Sequence, residues 1–301
     1  MNTLPWMQHL LVVPVLLPLM VGALLIPINQ TRHTLKFALG LGSGILLWIV
    51  AVALLLMADG EYWPAGIGVY LAANWAAPFG IALMVDRLTA LMLVLTATIA
   101  LAVLVFSARR WDRVGVSFHS LFQFLLMGLN GAFLTNDLFN LFVFFEVMLA
   151  ASYGMVLHGY NLRRIQAGMQ YIAINLVASL MFLIGVSLIY AATGTLNIAD
   201  LGGRVATLNA QDTWLLQIGA TVLALAFLIV VGVALVADGA GTHVPRGYIY
   251  FAMAFSVTVE MLNIRLRKKA EAPVALHQAY TAEEPPAGAP SGAIPGQEDR
   301  A

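Results

Sequence analysis

Long apolar stretches separated by short polar segments run along most of this 301-residue chain. A helix needs roughly 20 apolar residues to cross a bilayer. Inside lipid the backbone must satisfy its own hydrogen bonds, which favours helices. The pattern therefore predicts about eight hydrophobic helices, most of them crossing the membrane. The predicted segments are 5–28, 37–58, 81–106, 117–135, 138–158, 168–192, 214–237 and 246–263.

The two ends of the chain differ in character. The first apolar run is too long for the core of a cleavable signal peptide, and no Lys or Arg precedes it, so it is predicted to be the first membrane helix. Residues 270–301 are rich in Pro, Ala, Gly and Glu, a composition that cannot bury enough apolar surface to fold. The sequence thus predicts an all-α polytopic transmembrane protein with a disordered C-terminal tail.

Composition narrows the function classes. Hydrophobic residues make up 61% of the chain and charged residues 10%, whereas a soluble domain usually carries about 25% charged residues. With a formal net charge of zero and no basic stripe, no nucleic-acid partner is predicted. The chain has no cysteine, no phosphate loop, no dinucleotide fingerprint and no nucleophile elbow. The sequence therefore predicts a non-enzymatic membrane protein without a cofactor.

Basic residues indicate the orientation, because cytoplasmic loops are enriched in Lys and Arg. The odd-numbered loops hold most of them, so these loops are predicted to be cytoplasmic, with the N-terminus outside the cell membrane. The basic residues are Arg32, Lys36, Arg109, Arg110, Arg113, Arg163 and Arg164. Under strict alternation the late cluster around Arg265 and Lys269 would fall outside. Either one of the last two segments does not cross, or the end of the chain follows another parity.

Glu146 lies near the middle of the fifth apolar segment. A charged side chain at the bilayer centre costs about 2.5 kcal/mol or more on insertion scales, and such residues commonly mark ion pathways and proton relays. An intramembrane carboxylate with a cation nearby can take up and release a proton. Glu146 is therefore predicted to be a proton-relay residue. The alternative is a structural acid that is permanently protonated or paired.

A second polar set follows the fourth segment. His119, Gln123 and Asn130 are spaced so that they fall near one face of a helix, and histidine exchanges protons near neutral pH. Together with Asp137 they form a possible proton path. The alternatives are hydrogen bonds between helices for the two amides, an interfacial position for His119, and an N-cap role for Asn136 and Asp137.

Two further groups of residues have weaker interpretations. The sixth segment carries small and polar residues, which are typical of a packing seam between membrane helices. These are Gly168, Gln170, Asn175, Ser179 and Gly185. Late in the chain, Asp238, His243 and Glu260 are weak candidates for binding a divalent metal, because two or three scattered ligands do not define a site. Turn chemistry for the first two, and pairing with a nearby arginine for Glu260, are the alternatives, and no metal site is predicted.

The stretch from Thr135 to Glu146, which reads TNDLFNLFVFFE, resembles the D subunit of the Mrp-type multi-subunit monovalent cation/proton antiporter. The resemblance covers residues 1–226 and extends to the antiporter-like membrane subunits of NADH:quinone oxidoreductase. Other matching stretches are 78–81, 86–92, 151–154, 157–159, 170–171, 175–179 and 193–201. It implies sodium/proton antiport within a hetero-oligomer, with Glu146 as the family's glutamate. The family's lysine partner on the seventh helix falls near Val230 here, so that partner is missing.

Residues 228–268 resemble the end of a TerC-type membrane protein instead, a family associated with manganese export and tellurium resistance. Two alternatives to the antiporter hypothesis follow. The chain could be a metal-ion exporter of the TerC class, or a fusion or truncation product that transports nothing. The lipid bilayer, protons, Na⁺ and other antiporter subunits are the partners that the first hypothesis implies.

Overall fold

The computed structural model describes residues 5–29, 31–60, 62–75, 78, 80–108, 117–157 and 162–239. Within these ranges the chain forms nine α-helices and one β-hairpin. The helices are α1 (Pro5–His9), α2 (Val13–Leu25), α3 (His33–Asp59), α4 (Arg87–Ser107), α5 (Phe118–Leu134), α6 (Leu138–Val156), α7 (Leu162–Thr193), α8 (Ile198–Val205) and α9 (Ala210–Gly239). The hairpin pairs β1 (Gly68–Leu71) with β2 (Ala82–Val85) in antiparallel fashion.

The prediction of a polytopic helical membrane protein is confirmed. Five helices are long and apolar enough to cross a bilayer, namely α3, α4, α6, most of α7 and most of α9. Two shorter apolar helices, α2 and α5, correspond to the first and fourth predicted segments. The eighth predicted segment, 246–263, and the predicted tail, 270–301, lie outside the described residues.

The first predicted segment is not one continuous helix. It is interrupted between α1 and α2, where Leu10, Leu11 and Val12 donate their amides three residues back rather than four. The cause is Pro14, which has no amide hydrogen and whose ring clashes with the carbonyl four residues earlier. The same residue suits the first turn of the new helix, so α2 begins around it.

The third predicted segment also begins differently from the prediction. Residues 82–85 are extended and form β2, and the helix starts only at Arg87. Asp86 is the N-cap of α4, and its Oδ1 accepts a hydrogen bond of 2.7 Å from the Thr89 amide. Arg87 forms an exposed ion pair with Asp59 at the end of α3, with a nitrogen–oxygen distance of 3.0 Å. The cap and the hairpin thus fix where α4 leaves the turn.

Backbone hydrogen bonds join the turns at one end of the bundle, which we call the hairpin end. The Asn136 amide donates to the Ala82 carbonyl of β2, and the Ile198 amide donates to the Asn136 carbonyl, both at 2.9 Å. Asn197 caps α8 by accepting two amide hydrogen bonds from its first turn. The hairpin, the turn before α6 and the turn after α7 are therefore held together, which fixes the entry of α6 and the exit of α7.

The other end of the bundle, which we call the opposite end, is where α4 and α6 finish and where α5 and α7 begin. The basic loops predicted to be cytoplasmic leave from these helix ends, although loop residues 109–116 and 158–161 are outside the described residues. Arg163 and Arg164, which the sequence assigns to a loop, are in the first turn of α7. The helix order is consistent with the predicted alternation, and the orientation itself stays a prediction.

Three clusters of buried apolar side chains make up the described core. Leu54, Leu93 and Leu134 belong to the first, which joins α2, α3, α4, α5, α6 and the hairpin, and a second lies between α3, α4 and α5. Phe182 and Ile189 of α7 belong to the third, with α6 and α9. Helix α5 approaches α6 closely, because a Cβ atom added to Gly128 would lie 2.8 Å from the Phe144 carbonyl oxygen.

Glycines bring α7 and α9 into backbone contact. A Cβ atom on Gly185 would lie 2.9 Å from the Gly219 carbonyl oxygen, and one on Gly219 would lie 3.0 Å from the Gly185 carbonyl oxygen. Small residues let membrane helices approach this closely. The predicted packing seam on the sixth segment is therefore confirmed at Gly185.

We expect Gly185→Leu to force α7 and α9 apart and to lower the free energy of unfolding by about 1–3 kcal/mol, the usual cost of overpacking. The matched control is Gly232→Leu in α9, where an added Cβ atom meets nothing within 4 Å. Both substitutions gain helix propensity equally. Unfolding in detergent followed by circular dichroism measures the difference, and equal stability of the two variants would contradict the close crossing.

Candidate functional site

Glu146 lies on α6 at the interface with α7. Its carboxylate oxygen Oε1 accepts a hydrogen bond from the Ser179 hydroxyl of α7. Ser179 is buried and Glu146 is partly buried. The position of Glu146 along α6 follows from the N-cap at Asp137. The cap starts the helix nine residues before Glu146, which places the carboxylate near the middle of α6. The structure thus holds an acidic side chain between two helices long enough to span the membrane.

Further polar side chains extend from this pair toward the opposite end. Tyr153 of α6 lies two helical turns beyond Glu146 and beside Tyr171 of α7. The two tyrosine rings meet edge to face, with centroids 5.5 Å apart. The hydroxyls of Ser152 and Tyr171 lie 3.4 Å apart. We call the following residues the α6–α7 polar file: Glu146, Ser152, Tyr153, Tyr171, Asn175 and Ser179.

Helix periodicity explains why these residues meet. Tyr171, Asn175 and Ser179 follow each other at intervals of four along α7, which puts them on one face. Glu146 and Tyr153 are seven residues apart on α6, about two turns along the same face. Sequence reasoning identified Glu146, Asn175 and Ser179 but missed the tyrosines. The seven-residue spacing from Glu146 was the signal that could have found Tyr153.

A small apolar cavity adjoins the Glu146–Ser179 pair on the side of α9. Its volume is about 10 Å³, enough for about one water molecule. Its lining residues are Phe142, Phe145, Ala178, Ser179, Phe182, Ala226, Phe227 and Val230. Val230, where the family resemblance implies a lysine, therefore faces the same cavity as Ser179.

The other predicted path residues divide into separate contacts. Gln123 of α5 accepts a hydrogen bond from the Ser43 hydroxyl at 3.3 Å and donates to the Gly40 carbonyl at 3.4 Å, both on α3. Asn130 donates to the Pro14 carbonyl of α2 at 3.0 Å. The alternative interpretation, hydrogen bonding between helices, thus describes both amides. Among the described residues, no hydrogen bond of either amide reaches Glu146.

His119 lies near the start of α5 and is buried, with 3% of its surface exposed. Its ring meets those of Phe37 and Phe118 edge to face, at centroid distances of 6.3 and 5.3 Å. The packing of α3 on α5 covers the ring, and the alternative of an interfacial position stays a prediction, because burial within the protein does not give depth in the membrane. Its part in a proton path stays a prediction.

Lys36 is a buried residue that sequence reasoning placed wrongly. The sequence assigns it to the first loop, whereas it lies in the first turn of α3 and only 4% of it is exposed. Helix α3 begins four residues before the predicted apolar segment does, and a lysine can be accommodated there because its long aliphatic stem packs along apolar surface. The apolar pattern alone gives no sign of this extension.

Asp137 has the structural role of an N-cap, as its position before the fifth segment indicated. Its Oδ1 accepts a hydrogen bond of 2.8 Å from the Asn140 amide. The residue is buried in the hairpin end, where its backbone bridges to Asn197. The predicted cap is confirmed, while its possible role in proton entry stays a prediction.

We expect Asp137→Ala to lower the free energy of unfolding by about 1 kcal/mol, because the N-cap acceptor is lost. Asp137→Asn keeps an oxygen acceptor in the same place and should stay within a few tenths of a kcal/mol of the wild type. Thermal unfolding in detergent micelles gives both values. If the asparagine variant is as unstable as the alanine variant, the charge rather than the cap is what matters at this position.

The weak metal candidates lie at or beyond the end of the described residues. The backbone of Asp238 is in the last turn of α9, so its predicted place in a turn is wrong, because the helix continues to Gly239. His243 and Glu260 lie outside the described residues. Their role in metal binding stays a prediction.

Several known membrane proteins are similar to this chain in sequence. Residues 135–237 match the family described as NADH:quinone oxidoreductase/Mrp antiporter, TM. The chain is 55% identical over 228 residues to the D subunit of a probable K(+)/H(+) antiporter of Rhizobium meliloti (strain 1021), a match that covers 75% of this chain and 42% of that relative. It is 38% identical to the D subunit of the Na(+)/H(+) antiporter of Alkalihalophilus pseudofirmus, covering 74% of this chain and 44% of the relative.

The fold of this chain is also similar to the folds of chains in solved membrane complexes. A chain of the Mrp complex from Dietzia sp. DQ12-45-1b is similar with a TM-score of 0.63 and 31% identity, covering 75% of this chain and 40% of that chain. A chain of the archaeal membrane-bound sulfane sulfur reductase gives a TM-score of 0.64 and 26% identity, covering 73% of this chain and 44% of that chain.

The sequence matches cover only part of each curated relative. This chain spans less than half the length of the curated relatives described above. The family match extends past the start of the region 228–268, and residues 240–268 lie outside the described residues. The TerC resemblance therefore stays a prediction. The chain is a multi-pass membrane protein that is similar, in sequence and in fold, to part of the Mrp antiporter's D-type membrane component and of the related NADH:quinone oxidoreductase antiporter-like subunits.

Proposed function

We propose that this chain is a membrane subunit of a monovalent cation/proton antiporter and that Glu146 is its proton-relay carboxylate. The observation that carries the proposal is the Glu146–Ser179 hydrogen bond between α6 and α7, in the middle of helices long enough to cross the membrane. The relatives named as D subunits of K(+)/H(+) and Na(+)/H(+) antiporters support the substrate class.

The chemical step proposed for Glu146 is the reversible uptake of one proton. In the charged form its carboxylate accepts the Ser179 hydroxyl hydrogen, which stabilises the charge in a region poor in other donors. When a proton arrives, the carboxyl group becomes a donor and the serine hydroxyl can turn to accept, because a hydroxyl group has both capacities. Both protonation states therefore keep a hydrogen bond, which lowers the cost of switching between them.

A lysine on α9 takes no part in this scheme. The sequence of α9 contains no Lys or Arg, and Val230 occupies the position that the family resemblance assigns to a lysine. Since Val230 lines the cavity beside Ser179, the neighbour of the pair on that side is apolar. Glu146 would then exchange its proton with neutral hydroxyl and amide groups, or with groups that partner subunits supply.

Partner subunits are part of the proposal. The similar solved chains come from multi-subunit membrane assemblies, among them the Mrp complex. This chain also spans less than half of its curated relatives. We therefore propose that it works in a hetero-oligomer in the cell membrane, with the N-terminus outside and the opposite end of the bundle facing the cytoplasm.

The test uses inverted membrane vesicles from a strain that lacks its own antiporters. The full chain is expressed with its partner subunits, a pH gradient is imposed, and its dissipation on adding Na⁺ or K⁺ is followed with a fluorescent dye. We expect cation-dependent dissipation that vesicles containing only the partner subunits do not give. Identical signals from both preparations would contradict the proposal and favour a non-transporting product. Protection of cells against Mn²⁺ without any cation-dependent proton movement would favour the TerC-type exporter.

A further inference from the structure

The α6–α7 polar file continues well beyond the Glu146–Ser179 pair. A relay role for Glu146 alone does not explain why its other polar residues lie together between α6 and α7. The Tyr153 ring meets the Tyr171 ring edge to face, and the Tyr171 hydroxyl lies 3.4 Å from the Ser152 hydroxyl. Tyr153 is three residues before the end of α6, about 4.5 Å along the helix axis. The file therefore connects mid-helix with the opposite end of the bundle.

Asn175 is the member of the file whose environment is hardest to explain by packing. It is fully buried, with 0% of its surface exposed. Its amide lies near the Tyr153 hydroxyl, yet neither its oxygen nor its nitrogen makes a hydrogen bond of ordinary geometry within the described part of the chain. Leaving such a group unpaired costs about 1–3 kcal/mol. A buried amide of this kind is suited to binding a water molecule.

The spacing of the file fits steps bridged by water. The Cα atoms of Glu146 and Tyr153 are about 10 Å apart along α6, and the hydrogen bond of the Glu146 carboxylate in the described part of the chain goes to Ser179 rather than to the Tyr153 hydroxyl. Asn175 precedes Ser179 by one turn of α7, about 6 Å. The amide of Asn175 thus stands between the tyrosine hydroxyl and the Glu146–Ser179 pair. One water molecule on this amide can reach polar groups on both sides.

We propose that the α6–α7 polar file conducts protons between the opposite end of the bundle and Glu146, with the Asn175 amide holding the water molecule that links Tyr153 to the Glu146–Ser179 pair. This inference rests on the proposed function of Glu146. In each step a hydroxyl group or water receives a proton on one side and releases one on the other. One proton enters the file, one is bound by the carboxylate, and Tyr153 and Asn175 end the step neutral and unchanged.

The experiment measures proton arrival at Glu146 rather than transport. The full chain is placed in lipid nanodiscs, the pH is lowered suddenly, and the carboxylic acid carbonyl band is followed by time-resolved infrared spectroscopy. Glu146→Gln identifies the band. We expect Tyr153→Phe, which removes one oxygen atom, and Asn175→Leu, which keeps the side-chain volume, each to slow the appearance of the band about a hundredfold or more, the lower end of what a positioned proton-transfer group contributes.

Tyr190→Phe is the matched control, because Tyr190 is an exposed tyrosine of α7 outside the file. It should leave the rate unchanged. Wild-type rates in both Tyr153→Phe and Asn175→Leu would overturn the path while leaving the relay role of Glu146 intact. Equal slowing in Tyr190→Phe would overturn it as well. If no band depends on Glu146, both the relay and the path are wrong. The unfolding of each variant is measured separately. Tyr153→Phe and Asn175→Leu change different helices, so each tests the path independently of the other.

Discussion

Replacing Glu146 by glutamine should abolish cation-dependent proton movement in vesicles that contain the full chain and its partner subunits. Glutamine has nearly the same shape as a protonated glutamate, and its side-chain oxygen can still accept the Ser179 hydrogen bond that the structure places on Oε1. It cannot bind and release a proton in the working range of pH. We expect the rate of gradient dissipation to fall about a hundredfold or more, since a positioned proton-transfer group commonly contributes that much.

Two further variants make this result specific. Glu146→Asp keeps the carboxyl group but shortens it, so that partial activity should remain. Asp212→Asn removes an equal charge in the first turn of α9, where Asp212 accepts a hydrogen bond from Asn209 at an exposed site, and should have no effect. Activity of Glu146→Gln close to that of wild type would show that the carboxylate is structural. Equal loss in Asp212→Asn would point to assembly instead.

Much of the helical framework could be predicted from the sequence, because long apolar runs have few alternatives in lipid. The cap at Asp137 was also readable, since a short acidic side chain directly precedes an apolar helix. The β-hairpin could not be predicted from the sequence. Its strands, β1 and β2, are apolar runs of four residues, which periodicity alone cannot separate from helix. The turns before and after β1 contain Ala65 and Ala73, which adopt positive φ values of 55° each, and such alanines give no turn signal in the sequence.

The candidate site was predictable only in part, for a related reason. An ionisable residue in an apolar run stands out, so Glu146 could be identified from its own segment. Periodicity also placed Gln123 and Asn130 on one face of α5, but it could not say which neighbours that face meets. The face contacts the backbones of α3 and α2. Tyr153 and Tyr171 do not stand out in the sequence, and only the packing of α6 on α7 brings their rings together.

Replacing Asn130 by leucine should destabilise the protein through a carbonyl group far away in sequence. Pro18 lies inside α2 and has no amide hydrogen, so the Pro14 carbonyl four residues earlier lacks its usual helical donor. The Asn130 side chain donates to that carbonyl at 3.0 Å from α5, where it is fully buried. Asn130→Leu leaves the carbonyl unpaired in an apolar region, and we expect the free energy of unfolding to fall by about 2 kcal/mol.

A second substitution tests the cause. Pro18→Ala restores an amide that can donate to the Pro14 carbonyl within α2, so Asn130→Leu should cost less than about 0.5 kcal/mol in that background. The loss of the Asn130 amide oxygen, which has no hydrogen-bond partner among the described residues, is common to both backgrounds and cancels in the cycle. Unfolding of the four proteins in lipid–detergent bicelles gives the coupling energy. Equal costs in the two backgrounds would mean that Asn130 stabilises the α2–α5 contact by packing and not by satisfying the carbonyl that Pro18 leaves open.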